Sequence, residues 1–134
     1  MKIRIKHFLP MVALVILASC KITLVPKYDA VVYKSVKDGQ EMTELLFKAE
    51  NAVYNDSLYN ILATQINNIR KSEESRLKSK PLVSIVDLLK KNFDKYRAQH
   101  KAKGSATAKD MKLWLLYLRP YWKDLLIAED SLKH

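Results

Sequence analysis

Residues 111–129 read "MKLWLLYLRPYWKDLLIAE", and apolar side chains recur in this stretch at every third or fourth position. This spacing predicts an α-helix with one apolar face. Pro120 has no backbone N–H, so the carbonyl group four residues earlier loses a helical hydrogen bond. The apolar phase continues through the proline, which predicts a single helix from Ser105 or Thr107 to about Leu132, kinked at Pro120. The positions that keep the phase are Met111, Leu115, Leu118, Trp122, Leu125 and Leu132.

The same spacing predicts two helices in the first half of the chain. Residues 27–52 form one predicted helix, although the "KDG" at 37–39 either weakens or breaks it. The apolar phase is the same on both sides of the "KDG", which favours a continuous helix. The "NDS" at 55–57 signals a turn, with Asp56 as the N-cap of a second helix over 57–78.

A third helix begins at Pro81, because proline suits the first turn of a helix. It ends near Gly104, since glycine is favoured just after the C-terminus of a helix. The chain contains only two glycines, fewer than the turns of a β-sandwich or barrel of this size would need. We therefore predict an all-α domain over residues 27–134, folded as a small up-down four-helix bundle.

The first twenty residues differ from the rest of the chain. Three basic residues precede a ten-residue apolar stretch, 8–17, that is interrupted only by Pro10. This is the pattern of a secretory signal peptide, and it is shorter than the roughly 20 apolar residues that a transmembrane helix needs. The stretch ends in "LASC", residues 17–20, and Cys20 is the only cysteine of the chain.

The sequence Leu17-Ala18-Ser19-Cys20 resembles the lipobox of bacterial lipoproteins, in which a leucine and two small residues precede the cysteine that is modified. The resemblance covers the signal region and does not extend to the rest of the chain. It implies that residues 1–19 are a cleaved signal peptide and that residues 20–26 form a lipidated tether. In this tether the Cys20 thiol carries diacylglycerol, and its amine carries an acyl chain such as palmitate. The alternative is an uncleaved anchor helix with a structural cysteine.

The lipobox resemblance also carries an expectation about location. Lys21 follows the cysteine, whereas in the best-known Gram-negative sorting rule an aspartate at this position retains a lipoprotein in the inner membrane. The resemblance therefore implies the outer membrane, with the domain facing the periplasm. In a Gram-positive cell the same motif would imply the outer face of the plasma membrane. Export from the cytoplasm makes nucleic acid a poor partner for this protein.

The chain is strongly basic. Its net charge is +10, and +7 remains once the three basic residues of the signal segment are removed. Many cations surround the turn between the third and fourth helices, and they predict contact with lipid headgroups, an anionic envelope polymer or an acidic protein. The alternative is a solvated end of the bundle. The candidate residues are Lys90, Lys91, Lys95, Arg97, Lys101, Lys103, Lys109 and Lys112.

Four aromatic residues flank Pro120, namely Trp114, Tyr117, Tyr121 and Trp122. Tyrosine and tryptophan are common at interfaces because each combines an apolar ring with a polar edge. These residues predict a partner groove or a membrane-interface patch beside the kink. The alternative is that they pack in the core of the bundle.

No catalytic pattern is present in the sequence. Neither a His-Glu-x-x-His motif nor a Gly-x-Ser-x-Gly motif nor a phosphate-binding loop occurs. We predict no cofactor and no metal site. His100 lies among lysines and is predicted to be solvated. The acidic pairs at 73–74 and 129–130 are predicted to be surface charge, because neighbouring residues on a helix point in different directions.

These observations predict a membrane-anchored bacterial lipoprotein with a non-catalytic helical domain. The domain would act as an interaction or structural module and bind an envelope protein or an anionic envelope component. Two alternatives stay open: a periplasmic carrier of a lipid or other apolar ligand, and an exclusion or immunity-type lipoprotein. An enzyme would need a nucleophile–base pair or a metal cluster, and the sequence indicates neither. The oligomeric state stays open as well.

Overall fold

The computed structural model describes residues 26–134, and these residues form four α-helices. The helices are α1 (Ala30–Leu46), α2 (Asp56–Ser75), α3 (Lys80–Lys103) and α4 (Ala108–Ser131), with a 3-10 turn at Ala49–Asn51 between α1 and α2. Each helix packs against the next one along the chain, and α4 also packs against α1. This closed ring is an up-down four-helix bundle, so the predicted all-α fold is confirmed.

Polar side chains fix three of the four helix starts. The Asp29 carboxylate accepts hydrogen bonds from the first amides of α1, and Thr107 forms a capping box with Asp110 at the start of α4. The cap of α2 is Asn55, whose side chain accepts from Ser57 N–H at 3.0 Å. The prediction of Asp56 as this cap was wrong, because Asp56 is already the first helical residue and its carboxylate is occupied by Arg97.

Two helices end earlier than the sequence pattern predicted. Helix α1 stops at Leu46 rather than residue 52, because Phe47 leaves the helix and packs edge-on against Tyr59 and Trp114. Helix α2 stops at Ser75 rather than residue 78, where the backbone becomes extended and then turns at a positive φ of 66°. The predicted end of α3 at Gly104 is confirmed, and this glycine has φ 71°.

Gly39 and Pro120, the two residues that disfavour a helix, both lie inside continuous helices. Gly39 of the "KDG" is buried in the middle of α1, and the ring of Trp122 from α4 packs against its Cα. The glycine therefore provides room for a large side chain instead of a break. Helix α4 continues through Pro120, which is solvent-exposed, as predicted from the unchanged apolar phase.

The α1–α2 and α3–α4 connections meet at one end of the bundle, which we call the distal end. Val53 and Ser105 form a short antiparallel bridge there. Next to the bridge, Ala106 N–H donates to the carbonyl group of Ala52 at 2.8 Å. These backbone bonds hold the two connections together and close the distal end.

The opposite end, which we call the proximal end, contains the first described residues of the chain. Residues 26–29 lead into α1 beside the α2–α3 connection, residues 76–79. The guanidinium of Arg76 donates from Nη2 to the carbonyl group of Lys27 at 2.7 Å. The proximal end therefore contains the point at which the segment from Cys20 arrives.

Candidate functional site

The predicted basic surface is split between the distal end and the outer side of α3. Lys101, Lys103, Lys109 and Lys112 border the α3–α4 turn and are exposed. Lys90, Lys91 and Lys95 lie further down α3; Lys90 precedes the end of the helix by 13 residues, or roughly 20 Å at 1.5 Å per residue. The structure therefore brings only the residues near the turn together at one end.

Two of the predicted basic residues are engaged within the bundle. Arg97 donates from Nη2 to Asp56 at 2.8 Å and to Asn60 at 2.6 Å, and Lys103 pairs with Asp110 at 2.8 Å. The other six form no ion pair with any of residues 26–134. These six cations, which remain available to an external anion, are Lys90, Lys91, Lys95, Lys101, Lys109 and Lys112.

The predicted aromatic surface is only half exposed. Trp114 and Trp122 are 3% and 1% exposed, so both pack in the core and the prediction of a partner surface was wrong for them. Their bulk is accommodated because Gly39 and the edge of Phe47 face them. Tyr117 is 53% exposed and stacks on Tyr96. The hydroxyl of Tyr121 accepts a hydrogen bond from Asn92 at 3.1 Å.

His100 is buried, which corrects the prediction of a solvated side chain. It is 1% exposed and lies between the hydroxyl of Tyr59 and the carbonyl group of Ala52. The carbonyl oxygen can only accept, so His100 Nε2–H donates to it at 2.6 Å and Nδ1 accepts from Tyr59 at 2.8 Å. Burial raises the pKa of the Tyr59 phenol, so its hydroxyl keeps the proton that it donates.

Two acidic residues are buried at the proximal end, although the sequence pattern predicted that they are surface charge. Glu73 of α2 and Glu129 of α4 are both 0% exposed. Arg76 Nη1 lies 3.0 Å from a carboxylate oxygen of Glu73 and 2.7 Å from one of Glu129. The Ser79 hydroxyl donates a hydrogen bond to Glu73. Two carboxyl groups from different helices therefore share one guanidinium.

This cluster holds one more carboxyl group than its cation can neutralise. Burial raises the pKa of the Glu73 carboxyl, and the neighbouring Glu129 carboxyl raises it further, while Ser79 and Arg76 oppose the shift. Glu73 therefore keeps a proton at pH values where an exposed glutamate is ionised. The side chains of Glu73 and Ser79 also border a polar concavity of about 280 Å³ at the proximal end, together with Lys78, Lys80 and Val83.

One sequence signal marks His100, Glu73 and Glu129 as buried. Glu73 follows Ile69 by four positions, Glu129 follows Leu125 by four, and His100 follows Tyr96 by four. Each residue thus continues the apolar stripe of its helix, a spacing that indicates the buried face. The periodicity identifies such positions as buried, but the partners that make burial possible lie in other helices.

Among the open grooves between neighbouring helices of residues 26–134, two differ in chemical character. The first, between α1 and α2, has a volume of about 160 Å³ and is almost entirely apolar, with Leu45 and Ile61 at its rim. The second, between α1 and α4, has a volume of about 680 Å³ and is crossed by a two-bond ion pair from Arg119 to Glu44. The first is smaller than the 300–1,000 Å³ that is typical of small-molecule sites.

The lipobox residues Leu17, Ala18, Ser19 and Cys20 lie outside the described residues, as does the tether up to residue 25. None of the helices in residues 26–134 combines the length and the hydropathy of a transmembrane span. The same residues contain no group of three or more histidine and acidic side chains that could hold a metal ion. Comparison of the chain with known protein families, with curated proteins and with solved structures found no match.

Proposed function

We propose that this protein is a bacterial lipoprotein whose helical domain is a non-catalytic interaction module of the cell envelope. The proposed anchor is a lipidated Cys20, and its support is the motif Leu17-Ala18-Ser19-Cys20 after a basic and then apolar N-terminus. Two or more acyl chains hold a protein on a membrane durably, whereas a single chain gives marginal binding. On this proposal the domain lies in the periplasm, at the outer membrane.

One observation supports an interaction role above the others: three unpaired lysines lie together at the end of the bundle opposite to the end at which the described chain begins. The chain joins at the proximal end, whereas Lys101, Lys109 and Lys112 are exposed and unpaired among the described residues at the distal end. If the proximal end faces the anchoring membrane, the unpaired lysines face away from it. Clustered cations attract anionic surfaces and raise association rates. The proposed partner is therefore an acidic envelope protein or an anionic envelope polymer.

The alternative of a lipid carrier has less support. A carrier needs an apolar chamber for its ligand, and ligand sites enclose most of the ligand surface. The apolar groove between α1 and α2 is small and open, and the widest apolar side chains of α4, Trp114 and Trp122, are used in the core. An exclusion or immunity-type role would be a special case of the interaction module, with the partner defined by the system that it blocks.

Crosslinking of the full-length protein in its native membrane tests the interaction role. We expect one envelope component to be recovered reproducibly at low salt and to be lost at high salt, because exposed charge pairs are screened. The variant Lys101→Glu/Lys109→Glu/Lys112→Glu should lose this component. Recovery that does not depend on these lysines would contradict the proposal.

A matched control separates the distal end from net charge alone. The triple variant Lys37→Glu/Lys71→Glu/Lys123→Glu changes the net charge by the same amount at exposed lysines away from the α3–α4 turn. We expect this control to retain the crosslinked component. Equal loss in both triple variants would mean that the domain attracts anions through its overall charge and has no dedicated distal surface.

The anchor itself is tested by Cys20→Ser. This variant has no thiol for the acyl donor, so the precursor should keep residues 1–19, and mass spectrometry should show neither cleavage nor lipid. Normal processing of Cys20→Ser would exclude the lipoprotein assignment.

A further inference from the structure

The most exposed large apolar side chain of residues 26–134 lies at the proximal end. Leu77, in the α2–α3 connection, is 85% exposed. The backbone on either side keeps it there, because Arg76 is extended and turned inward to Glu129 and Lys78 adopts φ 66°. Val31, in the first turn of α1 at the same end, is 74% exposed. Both side chains therefore expose apolar surface at the proximal end.

Cations surround this apolar tip. Lys78 and Lys80 follow Leu77 in sequence, and Lys27 precedes α1. All three are exposed and form no ion pair with residues 26–134. The acidic side chains of this end already have partners within the bundle. Arg76 pairs with Glu73 and Glu129, Arg70 pairs with Glu74, and Lys133 pairs with Asp130. The Asp29 carboxylate accepts hydrogen bonds from the first amides of α1. The tip is therefore apolar at its centre and positive at its rim.

The proximal end is also the end nearest to the proposed anchor. Only residues 21–26 separate Cys20 from Lys27. Six residues span roughly 20 Å when fully extended. A lipidated Cys20 would therefore keep the proximal end within a short distance of the bilayer surface, and would place no comparable limit on the distal end.

We propose that the proximal tip, defined as Lys27, Leu77, Lys78 and Lys80, is a membrane-contact surface that docks on an anionic phospholipid bilayer. Leu77 enters the interfacial layer, and the three lysines contact phosphate groups of the lipid headgroups. Apolar residues flanked by lysines bind membranes in this way, through burial of apolar area together with attraction to anionic lipid. The proposal rests on the proposed lipid anchor, and it fixes the orientation of the bundle, with the α3–α4 turn pointing away from the membrane.

A fluorescent probe at the tip tests the proposal in the full-length, lipidated protein. Leu77→Cys is labelled with an environment-sensitive dye, and the protein is reconstituted into phosphatidylcholine vesicles that contain phosphatidylglycerol. The matched control is Val53→Cys, a residue that is 70% exposed at the distal end. The reference is the same labelled protein in vesicles of phosphatidylcholine alone. Relative to this reference, we expect the dye at position 77 to show a blue shift and at least about a two-fold rise in emission in the anionic vesicles, and the dye at position 53 to show no change.

Charge variants and the lipid mass separate the possible outcomes. Adding Lys78→Glu/Lys80→Glu should return the dye at position 77 to a water-like spectrum, whereas Lys109→Glu/Lys112→Glu should not. A lipidated protein whose dye at position 77 remains in water in anionic vesicles would overturn the membrane contact and leave the anchor intact. A protein without lipid mass, in which Cys20 also takes up dye, would overturn the anchor and with it the membrane contact.

Discussion

At the scale of single residues, the clearest constraint is the contact of Gly39 with Trp122. A Cβ at position 39 would lie 2.7 Å from Cζ3 of the indole ring. Glycine inside a helix normally costs about 0.5–1 kcal/mol relative to alanine. Here the overlap with a buried aromatic ring reverses the sign, since overpacking a core costs about 1–3 kcal/mol. We expect Gly39→Ala to lower the free energy of unfolding, measured by urea denaturation.

A second substitution checks the cause of this loss. Trp122→Leu removes the ring that a methyl group at position 39 would meet. The double variant Gly39→Ala/Trp122→Leu should therefore be about as stable as Trp122→Leu alone. If Gly39→Ala costs the same with and without Trp122, the overlap is not the reason, because residues that do not interact show additive effects.

The buried acid pair makes stability depend on pH in a defined direction. The folded-state pKa of Glu73 lies above its ordinary value of 4.5. Below that value Glu73 is protonated in both states, and its contribution to stability is fully present. As the pH rises, the unfolded chain loses this proton first, so the free energy of unfolding falls until the folded protein also releases the proton. The slope is at most about 1.4 kcal/mol per pH unit.

Glu73→Gln tests this pH dependence. The amide resembles the protonated acid: its oxygen can accept from Ser79 and its NH₂ can donate to Glu129. We expect the variant to gain on the order of 1–3 kcal/mol relative to the native protein between about pH 5 and about pH 8. The comparison uses urea denaturation at several pH values. The exposed neighbour provides the control, and Glu74→Gln should leave the pH dependence of the native protein unchanged.

At the scale of the elements, His100 joins α3 to the α1–α2 connection. The carbonyl group of Ala52 accepts from both His100 and the backbone N–H of Ala106. His100→Leu leaves this carbonyl with one partner fewer and leaves the buried Tyr59 hydroxyl unpaired. A buried polar group without a partner costs about 1–3 kcal/mol. We expect a loss of this size, with faster hydrogen exchange at Ala106 N–H than elsewhere in the core.

Tyr59→Phe separates the hydrogen bond from the packing of the ring. It removes the hydroxyl while keeping the aromatic contacts with Phe47 and Phe93. The variant His100→Leu/Tyr59→Phe has no unpaired hydroxyl, so it should recover part of the stability that His100→Leu loses. A double variant whose loss equals or exceeds the sum of the two single losses would argue against the bond between these residues, because residues that do not interact show additive effects.

The helices were predictable from the sequence to the extent that local forces determine them. The apolar phase predicted that α1 continues through Gly39 and α4 through Pro120, and Gly104 marked the end of α3. The end of α1 was predicted six residues too late, because it depends on Phe47 packing against Tyr59 and Trp114 of other helices. The end of α2 depends in the same way on Arg76 turning inward to Glu129, a residue 53 positions away.

At the scale of the whole molecule, the sequence predicted which residues are charged but not where their partners lie. Six of the eight basic residues of the predicted surface are unpaired among residues 26–134, whereas Arg97 is taken by Asp56 from α2. The sequence did not indicate the pairing of Glu73 with Glu129, because the two residues lie on different helices and local periodicity does not show which helices meet. The bundle brings α2 and α4 to the proximal end together, and this long-range arrangement creates the pair.

Two arginines form ion pairs between distant parts of the bundle. The two ion pairs differ in burial, so we expect them to contribute very differently to the free energy of unfolding. Arg119 joins α4 to Glu44 of α1, with side chains that are 51% and 39% exposed. Arg76 joins α2 to Glu129 of α4 and to the Lys27 carbonyl group, with an exposed fraction of 11% for Arg76 and 0% for Glu129. Exposed ion pairs contribute about 0–1 kcal/mol. Removing one partner of a buried pair costs about 3–5 kcal/mol, because the remaining charge is uncompensated.

Arg76→Met and Arg119→Met form a matched comparison, since both replace a guanidinium by an unbranched apolar side chain. We expect Arg119→Met to change the free energy of unfolding by less than about 1 kcal/mol. Arg76→Met should cost several times more, because it leaves Glu73 and Glu129 facing each other without a cation and releases Lys27 from the proximal end. Equal losses for the two variants, measured by urea denaturation, would mean that the proximal cluster is hydrated and adds little to the closure of the bundle.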